Sequence, residues 1–286
     1  MNSPETLFEA AKATALGDRQ CNQDRSLFLS GNGTMLLGLA DGLGGHPRGE
    51  VAAQLLVDVC ESMFRQTPKP LFDPENFMLQ CIGKAHTAIL RFGRRQEPPI
   101  APRTTAVLAV VQGGIAYWAH VGDSRLYLIR DGDVRAQTRD HSQIRFVRQS
   151  ESEASRPRAS LTRCLGGLAV PPTTTCGPPT LLQTDDVLVL CSDGLWGQLP
   201  RQALVEGLGE PGSPFESRLK GLVERAAGAP NSDNVTAVAM HWLASADQAG
   251  ERAGLVEMPD DPQLDQAIEH LHSVLKKTSE PHKQGK

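Results

Sequence analysis

Short apolar runs and longer amphipathic segments alternate along the 286 residues of the chain. The run Met35–Ala40 predicts a buried strand that ends at Asp41. Apolar residues then recur at helical spacing after Gly49, which predicts a helix. A second helix is predicted to begin at Asp73-Pro74, because aspartate caps helices and proline suits their first turn. The first third of the chain therefore predicts a strand followed by a pair of helices.

From Thr104 onwards the pattern is that of short strands. The turn pairs Gly113-Gly114 and Asp131-Gly132 predict hairpins, and short turns join antiparallel neighbours. A helical region is predicted over Arg218–Ala227. The predicted strands are Thr104–Val111, Ile115–Val121, Arg125–Ile129, Val134–Thr138, Val187–Cys191 and Val235–Trp242. Strand clusters interleaved with helices predict an α+β sandwich, with antiparallel sheets covered by helices.

Two stretches lack strand periodicity. Gln143–Arg158 is polar and contains proline, so we interpret it as a mobile surface excursion. A polar linker follows Trp242, running through Ala246–Pro259. After Asp261-Pro262 the apolar positions recur at helical spacing, which predicts one amphipathic helix at the end of the chain. These positions are Leu264, Ile268, Leu271 and Leu275.

Composition narrows the class of protein. A hydrophobic content of 40% suits one large domain. The net charge of −4 and the aromatic content of 5% argue against binding to nucleic acid or to an anionic membrane. The six cysteines form no CxxC pair, so reduced thiols are expected. We find no signal peptide in residues 1–15 and no apolar run that could span a bilayer, and we expect a cytoplasmic protein.

Acidic residues stand where apolar strands end. Asp41 follows MLLGLA, Asp193 follows VLVLCS, and Asp233 precedes the last strand. Asp123 interrupts two further strand-like runs. Carboxylates gathered beside apolar strands repel one another unless cations lie between them, and such hard oxygen ligands suit Mg²⁺, Mn²⁺ or Ca²⁺. Any one of them alone would more often be a turn residue, as we expect of Asp131.

A basic motif precedes the acidic ones and contains Arg19, whose planar guanidinium matches a phosphate group. With it, seven motifs follow one another along the chain: Gly17–Asp24, Ala40–His46, Thr104–Ala106, Val121–Arg125, Leu161–Gly166, Cys191–Leu195 and Ser232–Thr236. In this order they resemble the motifs of the bacterial metal-dependent protein serine/threonine phosphatases of the type 2C class. They predict a phosphatase domain over residues 8–243, and they leave 244–286 as the linker and C-terminal helix.

The resemblance implies two stacked antiparallel sheets flanked by helix pairs, with a two-metal centre at one edge. Asp41 would bridge two Mn²⁺ or Mg²⁺ ions, with Asp193 and Asp233 on the first. The Gly42 carbonyl would bind the second ion, and Asp24 would act there through water. Asp123 would share a third ion with Asp193. Arg19 would hold the substrate phosphate while a hydroxide between the ions attacks phosphorus.

Three positions depart from the family pattern. Gln23 replaces an acidic residue, Leu43 stands where many eukaryotic relatives have a histidine, and Arg103 replaces a glycine. The resemblance also implies partners, namely a phosphorylated protein substrate and an opposing serine/threonine kinase system, and we expect a monomer. Two alternatives remain. One is a pseudophosphatase that binds partners without turnover, and the other is an unrelated binding module whose aspartates are turn residues.

Overall fold

The computed structural model describes residues 7–147, 156–210 and 212–244, with side chains omitted at 143–147 and 156–160. They belong to the first of two units, Met1–Ala253. The helices are α1 (Gly49–Gln66), α2 (Pro74–Arg94), α3 (Asp193–Trp196), α4 (Arg201–Gly209) and α5 (Phe215–Ala227). The strands are β1 (Phe8–Ala15), β2 (Arg25–Gly31), β3 (Thr34–Ala40), β4 (Ala106–Gln112), β5 (Ile115–Val121), β6 (Arg125–Arg130), β7 (Asp133–Gln137), β8 (Ser142–Val147), β9 (Arg156–Leu161), β10 (Thr175–Cys176), β11 (Thr180–Leu181), β12 (Val187–Cys191) and β13 (Val235–Trp242).

Two antiparallel sheets form the centre of the fold. One has the strand order β1-β13-β12-β6-β7, and the other has the order β10-β5-β4-β3-β2, with β11 also paired to β5. The predicted turns join hairpins, and both central residues of each turn have positive φ, at Gly113-Gly114 and at Asp131-Gly132. Positive φ at both positions matches the right-handed twist of the flanking strands. The predicted α+β sandwich is confirmed.

Both sheets are buried on two faces, which explains their nearly continuous apolar sequences. On β3, Leu36 packs under α1 and α2, whereas Leu37 faces the other sheet. On β12, Leu190 faces the same inter-sheet core, whereas Val189 packs under α4 and α5. Successive side chains of a strand point to opposite faces, so each strand serves two cores. The layers are thus helices, sheet, sheet and helices.

Asp73 begins α2 as predicted, because its side chain accepts a hydrogen bond from the backbone N–H of Asn76 at 2.9 Å. One interpretation was wrong. In place of the predicted mobile surface excursion over Gln143–Arg158, β8 and β9 form an antiparallel pair, with Ser142 opposite Leu161 and Val147 opposite Arg156. Backbone hydrogen bonds hold such a hairpin whatever the side-chain pattern, so the polar sequence concealed it.

The second predicted unit, residues 244–286 with its helix over Leu264 to Leu275, lies outside the described residues except for Ala244. That residue is buried, and its N–H donates to the Leu7 carbonyl at 3.2 Å. Ala244 thus packs with the folded unit, and the division between 243 and 244 stays a prediction. Among the described residues, none of the helices combines the length and the apolarity needed to cross a bilayer.

Candidate metal centre

The loop after β3 holds Asp41 rigidly through its backbone. The Asp41 N–H donates to the Thr105 hydroxyl at 3.0 Å, and its carbonyl accepts from the Thr104 hydroxyl and the Thr105 N–H, each at 2.9 Å. The Thr105 hydroxyl also lies 2.7 Å from that of Ser124, next to Asp123. The two threonines thus fix the Asp41 loop and join it to the Asp123 loop.

Gly42 allows α1 to approach the Asp41 loop. A Cβ atom at Gly42 would lie 2.6 Å from the carbonyl carbon and oxygen of Gly49, the first residue of α1. Real Cβ atoms are not found so close to backbone, so any side chain at Gly42 would push the helix away. The Gly42 N–H donates to the Gln23 carbonyl at 3.2 Å, which brings the Asp24 segment to the same loop.

Asp24 is a buried carboxylate at the centre of this network, 4% exposed. Its Oδ2 accepts a hydrogen bond from the Ser192 hydroxyl at 2.7 Å. Its Oδ1 is buried and has no hydrogen-bond partner among the described residues. Burial raises the pKa of Asp24 to about 7, with the negative charges of Asp193 and Asp233 adding to the effect. Buried carboxylate oxygens are usually satisfied, so this oxygen is suited to accept a bond from a water or to bind a cation.

The predicted aspartates form one electrostatic group. Burial raises the pKa of Asp41 well above its usual value, and the charges of Asp24, Asp193, Asp123 and Asp233 raise it further. Burial and the Asp193 charge raise the pKa of Asp123 to about 6. Burial and the Asp233 charge also raise the pKa of Asp193. The structure therefore brings together all five carboxylates that the sequence indicated, and their charges oppose one another.

Arg19 lies at the edge of this group. Its Nη2 donates to Oδ2 of Asp233 at 2.6 Å, and the two side chains are 53% and 38% exposed. The pairing leaves part of the guanidinium in solvent, where an anion can reach it. The assignment of Arg19 to phosphate binding stays a prediction, and in this arrangement the guanidinium pairs with one predicted metal ligand.

The donor set fits hard divalent cations. Carboxylate oxygens with raised pKa values, one of them buried without a partner, gain most from a cation placed among them. As arranged here, however, no group of three or more acidic, histidine or cysteine side chains in the described ranges is already positioned to hold an ion. Carboxylate side chains would therefore have to rotate when an ion binds.

Supporting residues around the centre were not identified from the sequence. Asn234 accepts from the Gln23 N–H at 3.0 Å and donates to the Leu16 carbonyl at 2.8 Å, which ties the Arg19 segment to β13. The Ser192 hydroxyl accepts a hydrogen bond from the Thr236 N–H at 3.0 Å and donates one to Asp24. These residues stand within the matching motifs, but their roles depend on partners more than 40 positions away, which spacing alone does not reveal.

His141 and His46 are not part of the centre. His141 stacks on His120 with ring centroids 4.5 Å apart and accepts from the Gly122 N–H at Nδ1, 3.2 Å away. Burial lowers the pKa of His141 to about 4, so the ring is neutral near pH 7. His46 lies in the turn before α1, where its N–H donates to the Leu43 carbonyl. The contacts of both histidines are structural.

The family model for protein phosphatase 2C matches residues 13–245. The chain belongs to the protein phosphatase 2C family. It is 30% identical over 241 residues to the serine/threonine protein phosphatase PstP of Mycobacterium tuberculosis, a match that covers 80% of this chain and 45% of PstP. The chain thus spans less than half of the length of this relative.

Solved phosphatase 2C structures share the fold. The Streptococcus agalactiae serine/threonine phosphatase aligns with a TM-score of 0.69 at 26% identity, covering 83% of this chain and 100% of that one. The PstP catalytic domain, in complex with two manganese ions, aligns with a TM-score of 0.65 at 28% identity, covering 83% of this chain and 99% of that one. These family members support the expected sandwich and a dependence on divalent metal.

Proposed function

We propose that the chain is a metal-dependent protein serine/threonine phosphatase. The observation that carries the proposal is the group of mutually repelling, largely buried carboxylates at Asp24, Asp41, Asp123 and Asp193, with Arg19 beside it. Membership of the phosphatase 2C family and the manganese complex of PstP support it. The substrate class is phosphoserine or phosphothreonine in proteins, and the opposing enzyme is a serine/threonine kinase.

Two core ions, Mn²⁺ or Mg²⁺, would be held by Asp41, Asp193, Asp233 and the Gly42 carbonyl, with Asp24 acting through water and Asp123 serving a third ion. When bound, the ions supply Lewis-acid activation of a water and neutralise charge on the phosphoryl oxygens. Arg19 orients the phosphate through charge-assisted hydrogen bonds. The threonine pair, Thr104 and Thr105, keeps Asp41 in place, so that little reorganisation of the backbone is needed during the reaction.

The pseudophosphatase alternative has no observation in its favour, because the three core aspartates are all present and electrostatically coupled. The unrelated binding module is excluded by family membership. The cytoplasmic location and the monomeric state belong to the proposal. The six free cysteines, three of them buried, are consistent with a reducing compartment.

A paired substitution tests the proposal. The wild-type protein should hydrolyse a phosphothreonine peptide with Mn²⁺ or Mg²⁺ and lose this activity in excess chelator. Asp41→Asn should lose most of the activity and most of the Mn²⁺ binding measured by titration calorimetry. The matched control is Asp131→Asn, an exposed turn aspartate, which should change neither. Undiminished hydrolysis in chelator, or by Asp41→Asn, would contradict the proposal.

A further inference from the structure

A groove of about 450 Å³ lies along the C-terminal half of α2. Its lining includes Arg91, Arg94 and Arg95 on one side and Ala169 and Pro171 on the other. We call this feature the α2 groove. A neighbouring cavity of about 200 Å³ shares Arg94 and Ala169 with it and reaches Gly167. The groove is distinct from the carboxylate group, and none of the residues assigned to catalysis lines it.

The α2 groove is positively charged on a protein whose net charge is −4. All three arginines are exposed. In the described part of the chain, no acidic side chain forms an ion pair with any of them, whereas Arg19, Arg65, Arg125 and Arg130 are each paired. Arginines near a helix C-terminus also interact favourably with the helix dipole, an effect confined to the last turn.

Apolar side chains beside the groove supply a second, independent observation. Leu168 and Val170 are 75% and 74% exposed, on the segment whose Ala169 lines the groove. Two large aliphatic side chains standing in solvent next to three unpaired arginines match a partner segment that is both acidic and apolar. A purely ionic partner would leave the aliphatic pair unexplained.

Arg103 connects the groove region with the metal centre. Its side chain lies against Gly167, where a Cβ atom would come within 2.6 Å of the guanidine Nε. Its carbonyl accepts the N–H of Leu43 at 3.0 Å, one residue from Gly42. The Arg103 charge contributes to lowering the pKa of His46, after burial, so its positive potential reaches the loop that follows Asp41. The Arg103 side chain therefore places a positive charge between the α2 groove and the loop that follows Asp41.

We infer that the α2 groove binds an acidic, partly apolar segment of the phosphoprotein substrate, outside the phosphorylated residue itself. This inference rests on the proposed phosphatase activity and names the class of substrate. Arg91, Arg94 and Arg95 pair with aspartate or glutamate side chains of that segment, and Leu168 and Val170 contact its apolar residues. The positive charge of Arg103 favours an acidic peptide that runs from the groove towards the phosphate site.

Two phosphothreonine peptides test the inference, identical except for an extension that is rich in Asp, Glu and Leu in one and in Ser and Gly in the other. The acidic extension should raise kcat/KM about tenfold, since each exposed ion pair contributes a few-fold at most. The triple variant Arg91→Ala, Arg94→Ala, Arg95→Ala should lose that advantage while it hydrolyses p-nitrophenyl phosphate at the wild-type rate. Raising the salt concentration to about 1 M should also remove the advantage, because the Debye screening length falls to about 3 Å.

The matched control removes the same number of charges from other surfaces, in Arg65→Ala, Arg135→Ala, Arg225→Ala, and should keep the preference. Fluorescence anisotropy of the labelled acidic extension, without a phosphate, measures binding to the groove even if hydrolysis fails. If the protein hydrolyses p-nitrophenyl phosphate but neither prefers the acidic peptide nor binds the labelled acidic extension, the inference about the groove is overturned and the proposed phosphatase activity stands. An arginine-dependent affinity for anionic phospholipid vesicles, but none for the acidic peptide, would assign the groove to a membrane surface and overturn it too.

Discussion

Asp24→Asn isolates the energetic cost of the carboxylate group. The substitution keeps the shape of the side chain and removes a negative charge that is buried and only half hydrogen-bonded. The pKa of Asp24 is raised from 3.8 to about 7, mainly by burial. Each pH unit between the two values corresponds to about 1.4 kcal/mol, so at pH 8 the ionised group opposes folding by about 4 kcal/mol. In the Asn variant, a buried amide N–H without an acceptor costs about 1–3 kcal/mol, which offsets part of that gain in stability.

The direction of the pKa shift determines how the effect of Asp24 on stability depends on pH. Since the folded-state pKa of this acid is raised, the folded state keeps the proton at pH values where the unfolded chain has lost it. The opposition to folding is therefore absent below about pH 4, grows between pH 4 and 7, and is complete above pH 7. Without metal, Asp24→Asn should be more stable than wild type by about 1–3 kcal/mol at pH 8. The difference should fall by about 3 kcal/mol at pH 5.

Urea unfolding in the presence of chelator, at pH 8 and at pH 5, measures both quantities. The exposed turn variant Asp131→Asn serves as the control and should show no such pH dependence. Titration calorimetry should also show weaker Mn²⁺ binding by Asp24→Asn, since the stabilising substitution removes a charge that the ions need. An Asn variant that is less stable than wild type by the same amount at both pH values would refute the assignment of Asp24 as a buried, charge-strained group.

Other substitutions separate the remaining roles. Arg19→Ala should raise KM for a phosphopeptide about 10- to 100-fold in steady-state kinetics, since a charge-assisted hydrogen bond is worth about 1.5–3 kcal/mol. Unchanged KM and kcat would remove Arg19 from the site. Asp123→Ala should keep the fold and the two core ions but lower turnover, as measured by calorimetry and kinetics. Wild-type turnover at saturating metal would make Asp123 a turn residue only. Asp186→Ala should destabilise the protein by about 3 kcal/mol in urea unfolding, because it leaves Arg130 without the carboxylate that it now contacts at 2.6 and 2.7 Å. A loss below about 1 kcal/mol would show that Arg130 finds solvent instead. A chain ending at Ser245 should keep metal-dependent hydrolysis of a small phosphoester, and a folded but inactive product would place the C-terminal segment in the catalytic unit.

Strands buried on both faces could be predicted almost to the residue. Ile115–Val121, Val187–Cys191 and Val235–Trp242 have the predicted bounds, because continuous apolar sequence is what two-sided burial requires. β1 was missed, since its sequence FEAAKATA is rich in alanine and has little β propensity. Its place is set by pairing with β13, which local pattern cannot show.

The site shows the same division between local and distant information. The aspartates could be predicted because each adjoins an apolar strand and stands in an ordered motif. The half-satisfied hydrogen bonding of Asp24 could not, because the donor to its Oδ2, the Ser192 hydroxyl, lies 168 positions away in the chain. Likewise, Gln23 donates to Glu50 on α1 at 3.4 Å, so the amide that departs from the family pattern still lies beside a carboxylate. Such compensation is visible only after the chain has folded.

The placement of β13 between β1 and β12 has a consequence for how the protein is made. Thr14 on β1 lies opposite Thr236 on β13, 222 positions later, so β1 gains this neighbour only after the intervening residues have been synthesised. Asp233 arrives just before that final strand. A chain that stops before β13 therefore lacks both an interior strand of one sheet and a predicted metal ligand. The five-stranded sheet can therefore close only after β13 has been synthesised, and such long-range strand pairing is slow to form.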